Sequence, residues 1–139
     1  EARQYAWHTR FDHASLRLRL PGNWEVLAQG LRGETLMGPG AVQVDLAAWY
    51  ALAAHPLGEA SLSLRYDDFG STDRDLTPRD PNGEQGRALA LAYAHPLSGS
   101  LTLITELLGV DSTRPARQLL DEAPRQREVS LAMILRWTF

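Results

Sequence analysis

The sequence predicts an all-β fold, a single antiparallel up-and-down barrel, and three observations carry that expectation. Polar and apolar residues alternate with period two from end to end, whereas helical spacing is hard to find anywhere. The connections between alternating runs are short and long in turn. The final run, "REVSLAMILRWTF", puts Val129, Leu131, Met133, Leu135, Trp137 and Phe139 on one parity and leaves Ile134 as the one large apolar residue on the other. At 139 residues the chain suits one domain, 1–139, better than two.

Eight strands are expected, at residues 3–11, 14–20, 24–34, 41–54, 59–69, 87–95, 100–110 and 127–139. The first two are separated at a tight bend near His8 and His13, which lie on opposite parities. In 14–20, Leu16, Leu18 and Leu20 oppose Ser15, Arg17 and Arg19. The run 24–34 can be parsed either way, with Trp24, Val26 and Ala28 set on the apolar side. In 41–54, Val42, Val44, Leu46, Ala48, Tyr50 and Leu52 oppose Gln43, Asp45, Ala47, Trp49 and Ala51. Ala60, Leu62, Leu64 and Tyr66 then oppose Ser61, Ser63, Arg65 and Asp67. In 87–95, Leu89, Leu91 and Tyr93 face away from four alanines, whose small size suggests room made for bulky neighbours such as Trp49. The run 100–110 is ambiguous, because Ile104 and Leu108 share a parity with Thr102 and Glu106.

Tight Pro/Gly turns stand at "LPGNW", "AHPLGEA" and "AHPLSGS", with longer polar connections at "GETLMGPG", "GSTDRDLTPRDPNGEQG" and "DSTRPARQLLDEAPRQR". Successive connections of a meander fall at opposite ends, so the short turns share one rim and the long loops the other. Transmembrane barrels sort their loops this way and Greek-key sandwiches have no reason to. Eight is the smallest number that closes as a membrane barrel, with both termini on the short-turn rim. "WYALAAHPLGEASLSLRYDDFGSTD" also overlays "LALAYAHPLSGSLTLITELLGVDST", as one hairpin unit used twice or as two similar hairpins converging on similar turns.

No apolar run approaches the ~18–20 residues of a spanning helix, but a barrel places apolar residues only at alternate positions. The chain has no Cys, which excludes disulfides and thiolate metal sites. Its net charge is −3 and all 14 basic residues are Arg; without a basic patch or binding motif this is no nucleic-acid footprint. The start "EARQYAWHTR" has no leader character, so either a leader has been removed or the chain is an excerpt of something longer. With the apolar parity toward lipid, the lumen-facing candidates are Arg17, Arg19, Gln29, Gln43, Asp45, Arg65, Asp67, Glu106, Glu128 and Arg136. Their charges balance, which suits an ion-paired plug in a narrow barrel or selectivity rings in a wide one. Trp7, Trp24, Tyr50, Tyr93, Trp137 and Phe139 are expected toward the short-turn rim, and Phe11, Tyr66 and Phe69 toward the long-loop rim, as interfacial girdles. His55 and His95 are turn residues before Pro, with no convergent partners for catalysis or metal binding. Asp67, Asp68, Asp73 and Asp75 have oxygen ligands for Ca²⁺ but not the spacing of an EF-hand, and a solvated acidic loop is the plainer reading. No cofactor is called for.

The terminal set Leu131, Met133, Leu135, Trp137 and Phe139 resembles the C-terminal targeting strand of bacterial outer-membrane β-barrel proteins. That resemblance implies an outer-membrane location, contact with outer-membrane lipid and recognition by the barrel-assembly machinery. The segments "LAQGLRGETLMG", "GVDSTR" and "PRQREVSLAMILRWTF" look like the C-terminal part of porin-like proteins of alphaproteobacteria or similar Gram-negative bacteria. This implies passive permeation or a structural barrel, not an enzyme, in a chain that is complete or part of a larger barrel. A soluble lipocalin-like barrel would instead turn the apolar parity inward on a small hydrophobic ligand. Small lipid-modifying outer-membrane enzymes use a Ser and a His, and no such pair is placed on adjacent strands here.

Overall fold

The computed structural model of the chain describes residues 7–38, 42–75 and 81–139. Residues 3–6 and 41 of two predicted strands, and 39–40 and 76–80 of two predicted loops, lie outside them. Seven strands form one antiparallel sheet in strict chain order: β1 (Trp7–Leu20), β2 (Trp24–Met37), β3 (Val42–Leu57), β4 (Ala60–Asp73), β5 (Glu84–Pro96), β6 (Leu101–Thr113) and β7 (Arg125–Trp137). The sheet is open, since β1 and β7 are not paired with each other.

Seven strands replace the predicted eight because 3–11 and 14–20 merge. β1 runs unbroken through Asp12, His13 and Ala14, which pair with Arg32, Leu31 and Gly30. The stretch "FDHAS" holds neither Gly nor Pro, so nothing in it forces a turn while β2 offers every residue a partner. β2 is correspondingly longer than expected and takes up "GETLM", ending at Met37. The odd count moves one terminus. Trp7 pairs with Met37 at the long-loop rim and Trp137 with Leu101 at the short-turn rim, so the two ends of the sheet's chain do not share a rim as expected.

The short-turn rim carries residues 21–23, 58–59 and 97–100, and the opposite rim carries Gly38, 74–75, 81–83 and 114–124. Backbone geometry explains the tightest turns. Gly58 opens the two-residue β3–β4 turn at φ 63°, and Gly22 and Asn23 close the β1–β2 turn at 76° and 61°. The two "AHPL" hairpins correspond as the internal similarity suggests: His55 and Pro56 pair with Leu62 and Ser61, and His95 and Pro96 with Leu103 and Thr102.

No second layer covers the sheet. The buried apolar residues are Val44, Ala60, Ala88 and Ala90, and no large side chain is fully buried. Water-soluble domains bury a face of each sheet against another element. Here, among the described residues, neither face is buried in that way.

Candidate functional site

Cross-strand partners share a face, so the register sorts every side chain. One face, termed the leucine face, carries Leu16, Leu18 and Leu20 with Trp24 and Val26, then Leu62, Leu64, Leu89, Leu91 and Leu107, and on β7 Leu131, Met133, Leu135 and Trp137. The strand at 24–34, open to either parity in sequence, sets Trp24, Val26 and Ala28 on this face. The other face mixes polar and apolar side chains. Eight of the ten predicted lumen residues share that mixed face: Arg17, Arg19, Gln29, Arg65, Asp67, Glu106, Glu128 and Arg136.

Gln43 and Asp45 do not join them. Gln29 pairs with Tyr50 and Gly30 with Trp49, which turns the whole of β3 over relative to the expected parity. Val42, Val44, Leu46, Tyr50 and Leu52 therefore lie on the mixed face, and Gln43, Asp45 and Trp49 on the leucine face. A one-residue slip inverts every side chain of a strand, and β3 is apolar enough on both parities to hide it. Trp49 is consequently not the neighbour that the β5 alanines accommodate. Ala88 and Ala90, both buried, pair with Asp67 and Arg65, whose ion pair at 2.9 Å fills that space. The Arg65 guanidinium also lies 5.8 Å from the Tyr50 ring centre.

Exposure distinguishes the faces on the central strands. Leu64, Leu89, Leu91 and Leu107 on the leucine face of the central strands are 48, 52, 42 and 46 % exposed, while Leu52, Ile104 and Leu108 on the mixed face are half-buried.

The leucine face ends abruptly toward the long loops. Along one register line Ala14, Gly30 and Trp49 are followed by Asp68, Arg87, Asp111 and Arg127, and the next line toward the loops begins with Asp12 and Arg32. Opposite charges face one another across strands, the favourable arrangement for cross-strand neighbours. Arg87 reaches Asp68 at 3.3 Å, Arg74 reaches Asp45 at 2.6 Å, and Arg125 and Arg127 reach Asp111 at 2.7 and 3.0 Å. The hydrogen bond from Arg125, helped by that from Arg127, holds the Asp111 carboxyl well below the ordinary carboxylate range. A depression of 910 Å³ lies over this charged collar and touches all seven strands. The collar was missed in sequence because Asp12 was assigned to a bend, Arg74, Asp111 and Arg125 to loops, and the rest to the ends of separate strands whose register was not known. Its signal is the shared parity of Arg10 and Asp12 with Leu16 and Leu18.

At the opposite end of the leucine face, Trp24 stacks on His55 at 4.6 Å between ring centres, Tyr93 stacks on His95 at 6.2 Å, and Trp137 stands opposite Leu101. Trp7 is not among them, since it lies at the long-loop rim. Tyr50 and Tyr66 are mid-strand rather than at a rim, opposite Gln29 and Ala51. Phe11 and Phe69 lie toward the long loops on the mixed face, opposite Gly33 and Gly86. Phe139 follows β7, fully exposed, beside a hydrogen bond from the Thr138 amide to the Ser100 carbonyl at 2.9 Å.

The acidic residues of "YDDFGSTDRD" hold the protein's own groups. Asp67 and Asp68 pair with Arg65 and Arg87, Asp73 accepts the Asn82 and Asp75 amides at 2.9 and 3.1 Å, and Asp75 accepts the Gln43 amide at 2.8 Å. Among the described residues no group of His, Asp or Glu is placed to hold a metal ion.

Sequence reasoning also missed Arg117. The 3-10 turn Pro115–Leu120 carries it back over the mixed face, where it donates to the Ser112 carbonyl at 3.2 Å, the Pro124 carbonyl at 3.1 Å and the Ser112 hydroxyl at 2.9 Å. Under it a 180 Å³ cavity is bounded by Phe69, Glu84, Val110 and Glu128. Arg117→Ala is expected to free this loop, raising its cleavage by added protease at least several-fold while the sheet's unfolding midpoint barely moves. An unchanged cleavage rate would show that the loop is held by something else.

Comparison with protein-family models, curated proteins and solved structures finds no match to this chain.

Proposed function

We propose that the chain crosses a lipid bilayer as part of a porin-like β-barrel of the outer-membrane type, with the leucine face toward hydrocarbon and the mixed face toward an enclosed interior. The observation that carries this reading is the uncovered apolar surface extending over all seven strands. Soluble monomers rarely expose contiguous apolar patches above a few hundred Å². From Val129 to Trp137 the apolar side of β7 covers ~27 Å of strand at ~3.4 Å per residue, or ~21 Å of height at a 40° tilt, near the ~25 Å band of membrane barrels. The strands, 13 to 16 residues long, exceed the ~9–11 needed to span, and their surplus forms the charged collar.

Its role on this reading is passive permeation of small solutes or a structural barrel without chemistry or cofactor of its own. The outer membrane supplies the lipid, and the resemblance of the β7 terminus makes the barrel-assembly machinery its partner. Glu25, paired with Arg17 at 2.8 Å, takes the place of Asp45 in balancing the interior charge. A soluble ligand-binding barrel needs the leucines enclosed, and here Leu64, Leu89, Leu91 and Leu107 are 42 to 52 % exposed.

Quenching by lipids brominated along the acyl chain tests the proposal. Trp24, Trp49 and Trp137 all lie on the leucine face, so each single-Trp variant should lose a large part of its emission in such vesicles. Monodisperse protein in plain buffer, with tryptophans indifferent to the lipid, would defeat the reading.

A further inference from the structure

We infer that β1 and β7 each pair with an antiparallel strand of polypeptide lying outside residues 7–137, and that the strands inserted between them are odd in number. The inference deepens the barrel reading and rests on it for ring closure. Each edge is long and regular: β1 pairs residue for residue with β2 over 14 positions and β7 with β6 over 13, without a bulge. Neither contains a Pro, and β7 carries no charged residue from Val129 to Leu135. Sheets that keep a free edge usually shorten it, kink it or guard it with such residues. Within hydrocarbon an open edge is not tolerated at all.

Direction decides what can fill the gap. β1 and β7 both run from the charged collar to the short-turn rim, so joining them directly makes a parallel seam in an otherwise antiparallel ring. A second copy fits no better. Antiparallel pairing of β1 with β1, or β7 with β7, inverts one copy and sets the collar charges Arg10, Arg125 and Arg127 toward the other's apolar band. One strand running the opposite way matches both edges. Its chemistry follows from the register: apolar side chains at alternate positions beside Leu16 to Leu20 and Val129 to Trp137, and polar ones beside Asp12 and Arg127.

The absence of native Cys allows a clean test on the full protein in its membrane or in detergent. Ser15→Cys on β1 is combined in turn with Glu128→Cys, Ser130→Cys and Ala132→Cys on β7, and the outward-pointing amides of both strands are followed by hydrogen exchange. The expected result is no disulfide at any pair, since an intervening strand holds the Cα atoms beyond the ~7 Å limit, with edge amides exchanging within about tenfold of those of β4. A disulfide within one chain would establish a direct seam, one between chains would establish a second copy, and edge amides exchanging like unstructured peptide would mean free edges; each overturns the inference. Protected edges in protein that ignores lipid quenchers would instead remove the membrane reading and leave the edge pairing standing.

Discussion

Leu91→Arg is expected to block folding into lipid vesicles, whereas Ala92→Arg, the very next residue, is expected to be accepted. Leu91 lies on the leucine face of a central strand, on the register line of Leu64, Leu107 and Leu131, midway between the charged collar and the Trp24 rim. An Arg at the middle of a lipid-facing surface costs ~2–4 kcal/mol, which lowers the folding equilibrium about 30- to 900-fold. Ala92 points to the mixed face between Ser63 and Glu106, where a guanidinium meets a carboxylate. The fraction that keeps the faster, unheated gel mobility after refolding measures both. In a protein whose leucine face met water the order would reverse, with Leu91→Arg harmless.

The second large effect is expected at Gly33. A Cβ there falls against the Arg10 carbonyl oxygen and within 2.7 Å of the Phe11 Cβ, so the backbone of β1 itself must move. Overpacking of this kind costs ~1–3 kcal/mol, and Gly33→Ala should lower the urea midpoint accordingly. Gly109→Ala is the control, since nothing lies within 4 Å of its Cβ position, and its effect should stay within ~0.5 kcal/mol. Equal midpoints for the two variants would show that β1 and β2 are not held at this separation.

The strand content, the meander and the sorting of loops by rim were legible because they rest on local signals: period-two alternation, and Pro or Gly where the chain must reverse. β4, β5 and β7 were also legible by face, since Leu62, Leu89 and Leu131 each sit in runs whose other parity, Ile134 apart, is polar or small. β3 was not. Its valines at one end and Trp49 in the middle lie on opposite parities, and the choice between them is made by pairing with Gln29 and Gly30, which alternation within one strand does not record. The extra strand arose from expecting a bend at "FDHAS", where no Gly or Pro forces one. The collar and the Arg117 anchor were illegible for a related reason: both depend on which residues of distant segments are brought side by side, Asp68 beside Arg87 and Arg117 beside Ser112.

Every strand in this sheet is hydrogen-bonded only to the strands before and after it in the chain. Such a molecule can be built by zippering, each hairpin laid down on the last with little entropy lost to long-range loop closure. Damage should then propagate along the sheet rather than through an interior: within these seven strands, a break at β4 separates two three-stranded ribbons that are not paired with each other.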